Sequence, residues 1–504
     1  MLRPIVPVFL CLLSGVLLAL PFNNGKLWIF AWFAFVPAFF ALNNKSLKGA
    51  FFLFFITGII FWWGVIYWLV HVTLAGTIAL VFYLSLYFAI FGLIIRPCTK
   101  NSTPYALIFI PSVWALLEFL RGHLLTGFPW ALLGYSQYLN LTVIQIADIT
   151  GAFGISFLLI FVNVAIVEII CLIKNKAWPR LKITILLLIG FLSLILYYGY
   201  FRLSSNVVSG ARHVRISLIQ GNIPQELKWA VNAKDFILEQ YSHLTKEAVK
   251  ENPELVIWPE AASPALLGED EAVFTRIFAL AKEIKTPLLL GAVVREGEDY
   301  FNSALLLNAQ SEIIDRYDKL HLVPFGEYIP LKKVFPFLET VVPIGDILPG
   351  REYAVMKIPN PKSQIPSKFG VLICFEDLFP GLSRNFIKRG AQFLVNITND
   401  AWYKRTPASY QHLQASVLRA VENRVYLARA ANTGISGFIS PLGEILSTVR
   451  DSRGGEIFIP GYDTRDIFIE KRPLSFYTRY GDIFVTLCFL LAVYGIIFSF
   501  KHKP

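Results

Sequence analysis

The stretch Phe369-Gly-Val-Leu-Ile-Cys374-Phe-Glu-Asp-Leu-Phe-Pro380 reads as an apolar strand that ends at a thiol and runs on into acids suited to the first turn of a helix. A nucleophile at a strand-to-helix turn is open to substrate, and the N–H groups of the turn can hold the negative oxygen of an intermediate. Two other strand ends carry matching chemistry. Leu255-Val-Ile-Trp-Pro-Glu260-Ala-Ala ends in a carboxylate, and Tyr317-Asp-Lys319-Leu-His-Leu-Val-Pro-Phe-Gly-Glu327-Tyr supplies an ammonium. Glu260, Lys319 and Cys374 follow one another at intervals of 59 and 55 residues.

The segment that must position them, residues 202–482, has apolar runs of strand length punctuated by Pro, Gly, Asn and charge. Strands are expected over His213–Gln220, Leu255–Trp258, Pro287–Val294, Ser303–Asn308, Phe369–Cys374, Ala391–Ile397 and Arg424–Ala430. Helices are expected over Lys234–Val249, Glu271–Lys285 and Tyr410–Asn423. Such alternation predicts an α/β domain of about 250 residues. No internal repeat, low-complexity tract or Gly-rich phosphate loop interrupts it.

The rest of the chain is of another kind. Of 504 residues, 55% are apolar and 16% charged, against about 45–50% and 25% for an average soluble domain. A disordered or wholly soluble chain is thereby excluded. Eight candidate spans run from Ile5 to Leu20, Leu27 to Leu42, Gly49 to Val70, Leu74 to Ile95, Tyr105 to Leu120, Gly154 to Ile173, Ile183 to Phe201 and Ile483 to Phe500. The second is short and carries Pro37. The first resembles a signal peptide in having Arg3 before it, but its apolar stretch is long and six more spans follow, so it reads as an uncleaved anchor.

A net charge of +11 with a pI near 9.2 raises nucleic acid as a partner, yet the charge sits elsewhere. Residues 1–201 carry a net +8 and residues 483–504 a further +2, leaving 202–482 at +1. The excess is a topology signal. With the N-terminus inside, Arg3, Lys45, Lys48, Arg96, Lys100, Lys174, Lys176, Arg180, Lys182, Lys501 and Lys503 are cytoplasmic, and only Lys26 and Arg121 fall in the outer short loops. Both termini are then cytoplasmic and the α/β segment is extracytoplasmic.

Cys11, Cys98, Cys171 and Cys488 lie in or at the edge of candidate spans, so Cys374 alone belongs to the exported segment. A disulfide framework is excluded for want of pairs. A lone thiol in an oxidising compartment is either buried and inert or kept for reactivity, and the neighbourhood of Cys374 favours the second.

The three motifs Trp258-Pro-Glu260, Tyr317-Asp-Lys319 and Cys374-Phe-Glu376, in that order within one domain, resemble the nitrilase superfamily. Its hallmark is a Glu, Lys and Cys triad on an α-β-β-α sandwich. A domain of that kind set between seven spans and an eighth resembles the apolipoprotein N-acyltransferase family over essentially the whole chain. Further matching stretches are Gln220-Gly-Asn-Ile-Pro-Gln, with Trp229 close behind, His321-Leu-Val-Pro-Phe-Gly-Glu-Tyr-Ile-Pro330, and Asn399-Asp-Ala-Trp402. The domain division expected is 1–201 for seven transmembrane helices, 212–470 for the nitrilase-like catalytic domain and 483–500 for the eighth helix.

The resemblance implies transfer of an acyl chain from a phospholipid to the α-amine of the N-terminal S-diacylglyceryl cysteine of a lipoprotein, the last step of lipoprotein maturation, at the outer face of the inner membrane. The chemistry of the residues agrees. Glu260 accepts the proton of Cys374, the thiolate attacks the ester, and Lys319 stabilises the oxyanion and helps keep the thiol's pKa low. A thioester then passes its acyl group to the neutral amine. By resemblance Glu327 orients the lysine, Glu376 is a second family acid, and Trp229 and Trp402 lie on mobile loops at the site entrance. Phe375 stands where Tyr is expected in many members, and Tyr403-Lys404 where Phe-Gly is often found; Phe375 can still guide acyl chains as an aromatic wall. No cofactor, metal or nucleic acid is called for, and a monomer is expected.

Other readings are weaker. His321 with Glu327, or His412 with Glu422, lack metal-ligand spacing. Glu118 and Glu168 lie near the ends of spans and read as snorkelling. A membrane-tethered amidase needs far fewer than seven spans, and a transporter needs charged or broken helices at midplane.

Overall fold

The computed structural model describes residues 5–97, 105–204, 212–324, 326–328, 347–359, 366–469 and 473–501. Arg3, Cys98, Lys100, Phe325, Ile329, Pro330 and Lys503, used in the sequence reading, lie outside them. The chain divides into two units, one of residues 1–207, 406–422 and 475–504, the other of residues 208–405 and 423–474.

Among the described residues of the first unit, five helices are long and apolar enough to cross a membrane: Ile5–Asn23, Leu47–His71, Leu74–Ile95, Ala152–Lys174 and Trp178–Ser204. Ala106–Arg121 and Ile483–Lys501 are also helical. The second candidate span is not one helix. It breaks into a 3-10 segment, Gly25–Trp32, and a short helix, Val36–Ala41, with Pro37 in the first turn. Proline has no N–H to give to the preceding turn, so it starts a helix rather than continuing one.

The snorkelling expected of two acids is also corrected. Glu118 and Glu168 are buried, and Glu118 Oε1 accepts the Leu133 N–H at 2.7 Å. A backbone donor inside the bundle satisfies one Glu118 oxygen without a route to water. The helix Ala408–Asn423, though it follows a strand of the other unit in sequence, is fixed within this one by Gln411. Its Oε1 accepts from the Trp68 and Trp130 indoles at 3.1 and 2.8 Å, and its Nε2 donates to the Val65 carbonyl at 3.0 Å.

The second unit contains two six-stranded sheets. The first has the order β12-β1-β2-β3-β4-β5, made of Gly461–Ile469 (β12), Arg212–Gln220 (β1), Leu255–Ile257 (β2), Leu288–Glu296 (β3), Asp299–Leu307 (β4) and Ile313–Asp318 (β5). The second has the order β11-β10-β9-β8-β7-β6, made of Ile445–Thr448 (β11), Gly437–Ile439 (β10), Leu427–Ala431 (β9), Phe393–Thr398 (β8), Ser367–Ile373 (β7) and Val355–Ile358 (β6). Each sheet has a parallel trio, β1-β2-β3 and β7-β8-β9, flanked by antiparallel strands. Buried on both faces, the trios read as continuous apolar runs, as parallel strands do.

Helices Lys234–Ala248 and Glu271–Ile284 bury their apolar stripes in a cluster built on Trp258, Tyr241, Leu238, Phe274, Ile277 and Leu290. The Tyr241 ring stacks on Trp258 at 4.7 Å, and the Trp258 indole donates to Thr245 Oγ1 at 2.9 Å. The residue that opens the loop to Glu260 is therefore anchored on both its face and its edge.

Candidate active site

In parallel sheets ligands gather at the carboxyl ends of the strands, where loops diverge. Each expected site residue lies at such an end. Glu260 follows β2, Lys319 follows β5, Cys374 follows β7 directly, and the Asn399–Trp402 stretch follows β8. Cys374 has φ 52°, in the left-handed region that a residue with a Cβ rarely adopts, and it opens a 3-10 turn, Cys374–Leu378. Such strain at a strand end marks a functional turn.

Glu260 is brought in by a close approach of backbones. A Cβ on Gly291 of β3 would lie 2.4 Å from the Pro259 oxygen, 2.5 Å from the Ala261 nitrogen and 2.6 Å from the Glu260 Cα, so only glycine lets the Glu260 loop lie against that strand. The carboxylate is then held from two sides. Its Oε1 accepts from Asn302 Nδ2 at 2.8 Å and its Oε2 from the Asn399 N–H at 2.9 Å.

Lys319 is buried between two carboxylates. Its Nζ donates to Glu327 Oε1 at 2.9 Å and lies 3.6 Å from Glu260 Oε1. Asn302 Nδ2 also donates to Glu327 Oε1, at 2.8 Å, and Glu327 Oε2 accepts the Val323 N–H at 2.7 Å. Burial opposes the Lys319 charge, but Glu327, Glu260 and Cys374 outweigh it and hold its pKa above the ordinary lysine value.

The expectation that the thiol's pKa is kept low is reversed. Burial pushes Cys374 up, the Glu260 charge adds to this, and the pull of Lys319 and of a hydrogen bond with Thr398 does not restore it. Burial therefore favours the thiol form of Cys374, and any reaction through its sulfur needs a base to take the proton. Glu260 is the carboxylate whose charge it feels most.

Glu376 occupies a different place. Its two oxygens accept from the Tyr317 hydroxyl at 2.9 Å each, from the Leu320 and His321 N–H groups at 2.7 and 3.0 Å, and from the Ile373 N–H at 2.8 Å. It thus fastens the segment bearing Lys319 to the strand end bearing Cys374. Burial pushes its pKa up to about 7 against the pull of these donors. Phe375 is buried, its ring 5.7 Å from Phe379. Trp229 and Trp402 are 46% and 53% exposed.

Asn302, Asn396 and Lys228 were not singled out by sequence, and Asn399 entered only as the start of a matching stretch. Asn302 of β4 joins Glu260 to Glu327. Asn399 supplies its N–H to Glu260, and its side-chain amide donates to Gln225 Oε1 at 2.9 Å. Asn396 Nδ2 donates to the Cys374 carbonyl at 3.2 Å and Oδ1 accepts from Arg429 Nη1 at 2.5 Å. Lys228, buried, donates from Nζ to the Glu260 carbonyl at 3.3 Å. Tyr403 feels the charges of Cys374, Asp400, Glu260 and Glu327, and burial above all keeps its phenol protonated.

Paired α/β sheets with a thiol, a carboxylate and an ammonium at their strand ends define a domain of the carbon–nitrogen hydrolase class, and a family profile described as carbon-nitrogen hydrolase matches residues 215–469. A second, for the apolipoprotein N-acyltransferase N-terminal domain, matches residues 14–165. An apolipoprotein N-acyltransferase of Geobacter metallireducens is 39% identical over 98% of this chain and 95% of its own length. Another from Chlorobaculum tepidum is 30% identical over 97% and 96%. The chain belongs to the apolipoprotein N-acyltransferase family. Among solved structures, an amidase from Nesterenkonia sp. is similar at 20% identity with a TM-score of 0.40, over 57% of this chain and 99% of that one.

Proposed function

We propose that the chain moves an acyl chain from a phospholipid to the α-amine of the N-terminal S-diacylglyceryl cysteine of lipoproteins, through a thioester on Cys374. The observation that carries this reading is the buried set of Glu260, Lys319 and Glu327, with Glu260 and Lys319 acting electrostatically on Cys374 at its strained turn. Its setting in a chain with five apolar helices supports a lipid as the donor.

In the first step Cys374 Sγ attacks the ester carbonyl while its proton passes to Glu260. The carbonyl electron pair moves to oxygen, where Lys319 balances the charge. Collapse breaks the ester C–O bond, and the leaving lysophospholipid oxygen takes the proton from Glu260. In the second step the neutral amine attacks the thioester, Glu260 takes the amine proton and returns it to the departing sulfur. Glu327 holds Lys319 in place. Glu376 sets the geometry between lysine and cysteine. Trp229 and Trp402 receive acyl chains at the entrance, with Phe375 as a wall beneath.

The proposed arrangement is eight spans with both termini cytoplasmic, 212–470 as an extracytoplasmic catalytic domain, and action as a monomer. The basic residues of the short loops support it. Purified protein given labelled phospholipid and an S-diacylglyceryl peptide is expected to yield N-acylated peptide, and Cys374→Ala none. Release of the acyl group to water alone, never to the peptide, would support a tethered amidase instead.

A further inference from the structure

Lys228 lies in the loop after β1, immediately before the exposed Trp229. It is buried, and among the described residues its Nζ makes one hydrogen bond, to the main-chain carbonyl of Glu260 at 3.3 Å. An ammonium has three donors and no acceptor, so two N–H groups remain for other work. A buried cation that meets one neutral oxygen has a charge still to be matched. Lys319 is in the opposite condition, with Glu327 at 2.9 Å and Glu260 at 3.6 Å already drawing on its charge.

The charges of the centre can be counted. Glu260 and Glu327 bring two negative charges, and all four side chains, with Lys319 and Lys228, are buried. Without Lys228 the set is net negative before any reaction, and attack by the sulfur in a dry, net-negative site is opposed. With Lys228 the set is neutral. Transfer of the Cys374 proton to Glu260 then moves a negative charge from carboxylate to sulfur without changing the total.

We propose that Lys228 is a second cation of the acyl-transfer centre, balancing the negative charge that forms first on the Cys374 sulfur and then on the carbonyl oxygen of the donor. This rests on the thioester reading above. The titratable groups that act on Lys228 are Glu260 and Cys374, at the ends of β2 and β7; burial pulls its pKa down to about 8 against them. It is therefore charged at neutral pH and loses its charge just above.

The test is the rate at which full-length protein in detergent or vesicles forms the acyl-enzyme from labelled phospholipid in a single turnover. Lys228→Met is expected to slow this step about 100-fold or more, with an unchanged half-saturating lipid concentration. Lys228→Gln separates charge from tether, because it keeps a donor for the Glu260 carbonyl and has no charge; it is expected to stay slow as well. In the wild type the rate is expected to fall as pH rises past about 8, and both variants are expected to lack that fall. A Lys228→Gln rate within threefold of wild type would overturn the proposal and leave Lys228 a tie for its loop. If the wild type itself forms no acyl-enzyme, the thioester reading falls and this proposal with it; if the wild type does and the variants match it, only the role of Lys228 falls.

Discussion

Two buried polar networks meet at Cys374, and they are built on different terms. One, of Glu260, Lys319, Glu327 and Lys228, has charges facing one another with some contacts long, as in the 3.6 Å between Lys319 and Glu260, and with donors left over on Lys228. The other is more densely bonded. Glu376 accepts five hydrogen bonds from four residues, and Arg429 donates to Asp377 at 3.1 Å, Asn396 at 2.5 Å and Asp400 at 3.3 Å. Spare hydrogen-bonding capacity next to a nucleophile is what a reacting group requires, because charge must be met where it forms. Densely bonded networks hold shape instead. The family acids Glu327 and Glu376 thus have unlike duties, one on the lysine and one on the backbone.

The contrast can be broken most directly by exchanging losses of rate for losses of stability. Glu260→Gln is expected to slow acyl-enzyme formation at least about 1,000-fold, some 4 kcal/mol of barrier, with a melting temperature close to that of the wild type; Lys319→Met is expected to slow it as much but also to lower the melting temperature, because Glu327 and Glu260 lose their cation. Glu376→Gln should do the reverse of Glu260→Gln. Its amide NH2 would face N–H and O–H donors, and leaving them unmet costs about 3 kcal/mol, read as a clear drop in melting temperature. If Glu376→Gln melts as the wild type does but does not react, the two networks have been assigned the wrong way round. Gly291→Ala comes next. Its Cβ would press on the backbone of Pro259 to Ala261, and a displaced Glu260 is expected to lower the rate about 100-fold. Trp229→Ala, at an exposed position, should raise the half-saturating lipid concentration a few-fold and leave the maximal rate alone.

What was legible in the sequence follows the same division. Glu260 and Cys374 stand out because each ends an apolar run with a group that has no reason to be there structurally, and Lys319 because Tyr317-Asp-Lys319 falls between them in the order the resemblance requires. Asn302 and Lys228 are invisible by that criterion. Asn302 lies inside β4, where the expected strand begins one residue later at Ser303, and Lys228 sits between Leu227 and Trp229 with nothing local to mark it as buried. Only the meeting of distant strand ends makes them part of the site.

The strands missed were β5, β6, β10, β11 and β12, and four of these are sheet edges. Edge strands carry polar and charged residues that guard against further pairing, as in Ile313-Ile-Asp-Arg-Tyr-Asp318, so a search for apolar runs passes over them. In the first unit the long spans were legible from hydropathy, with Leu74–Ile95 matching the observed helix end to end. The burial of Glu118 was not, because the Leu133 N–H that donates to it comes from a separate segment.

The most direct test is the chemical fate of Cys374 itself. Protein incubated with phospholipid in the absence of any acceptor, then digested and weighed by mass spectrometry, should carry one acyl chain on the Cys374 peptide, released by neutral hydroxylamine and passed on when an S-diacylglyceryl peptide is added. An unmodified Cys374 peptide in protein that goes on to acylate the acceptor would contradict the account.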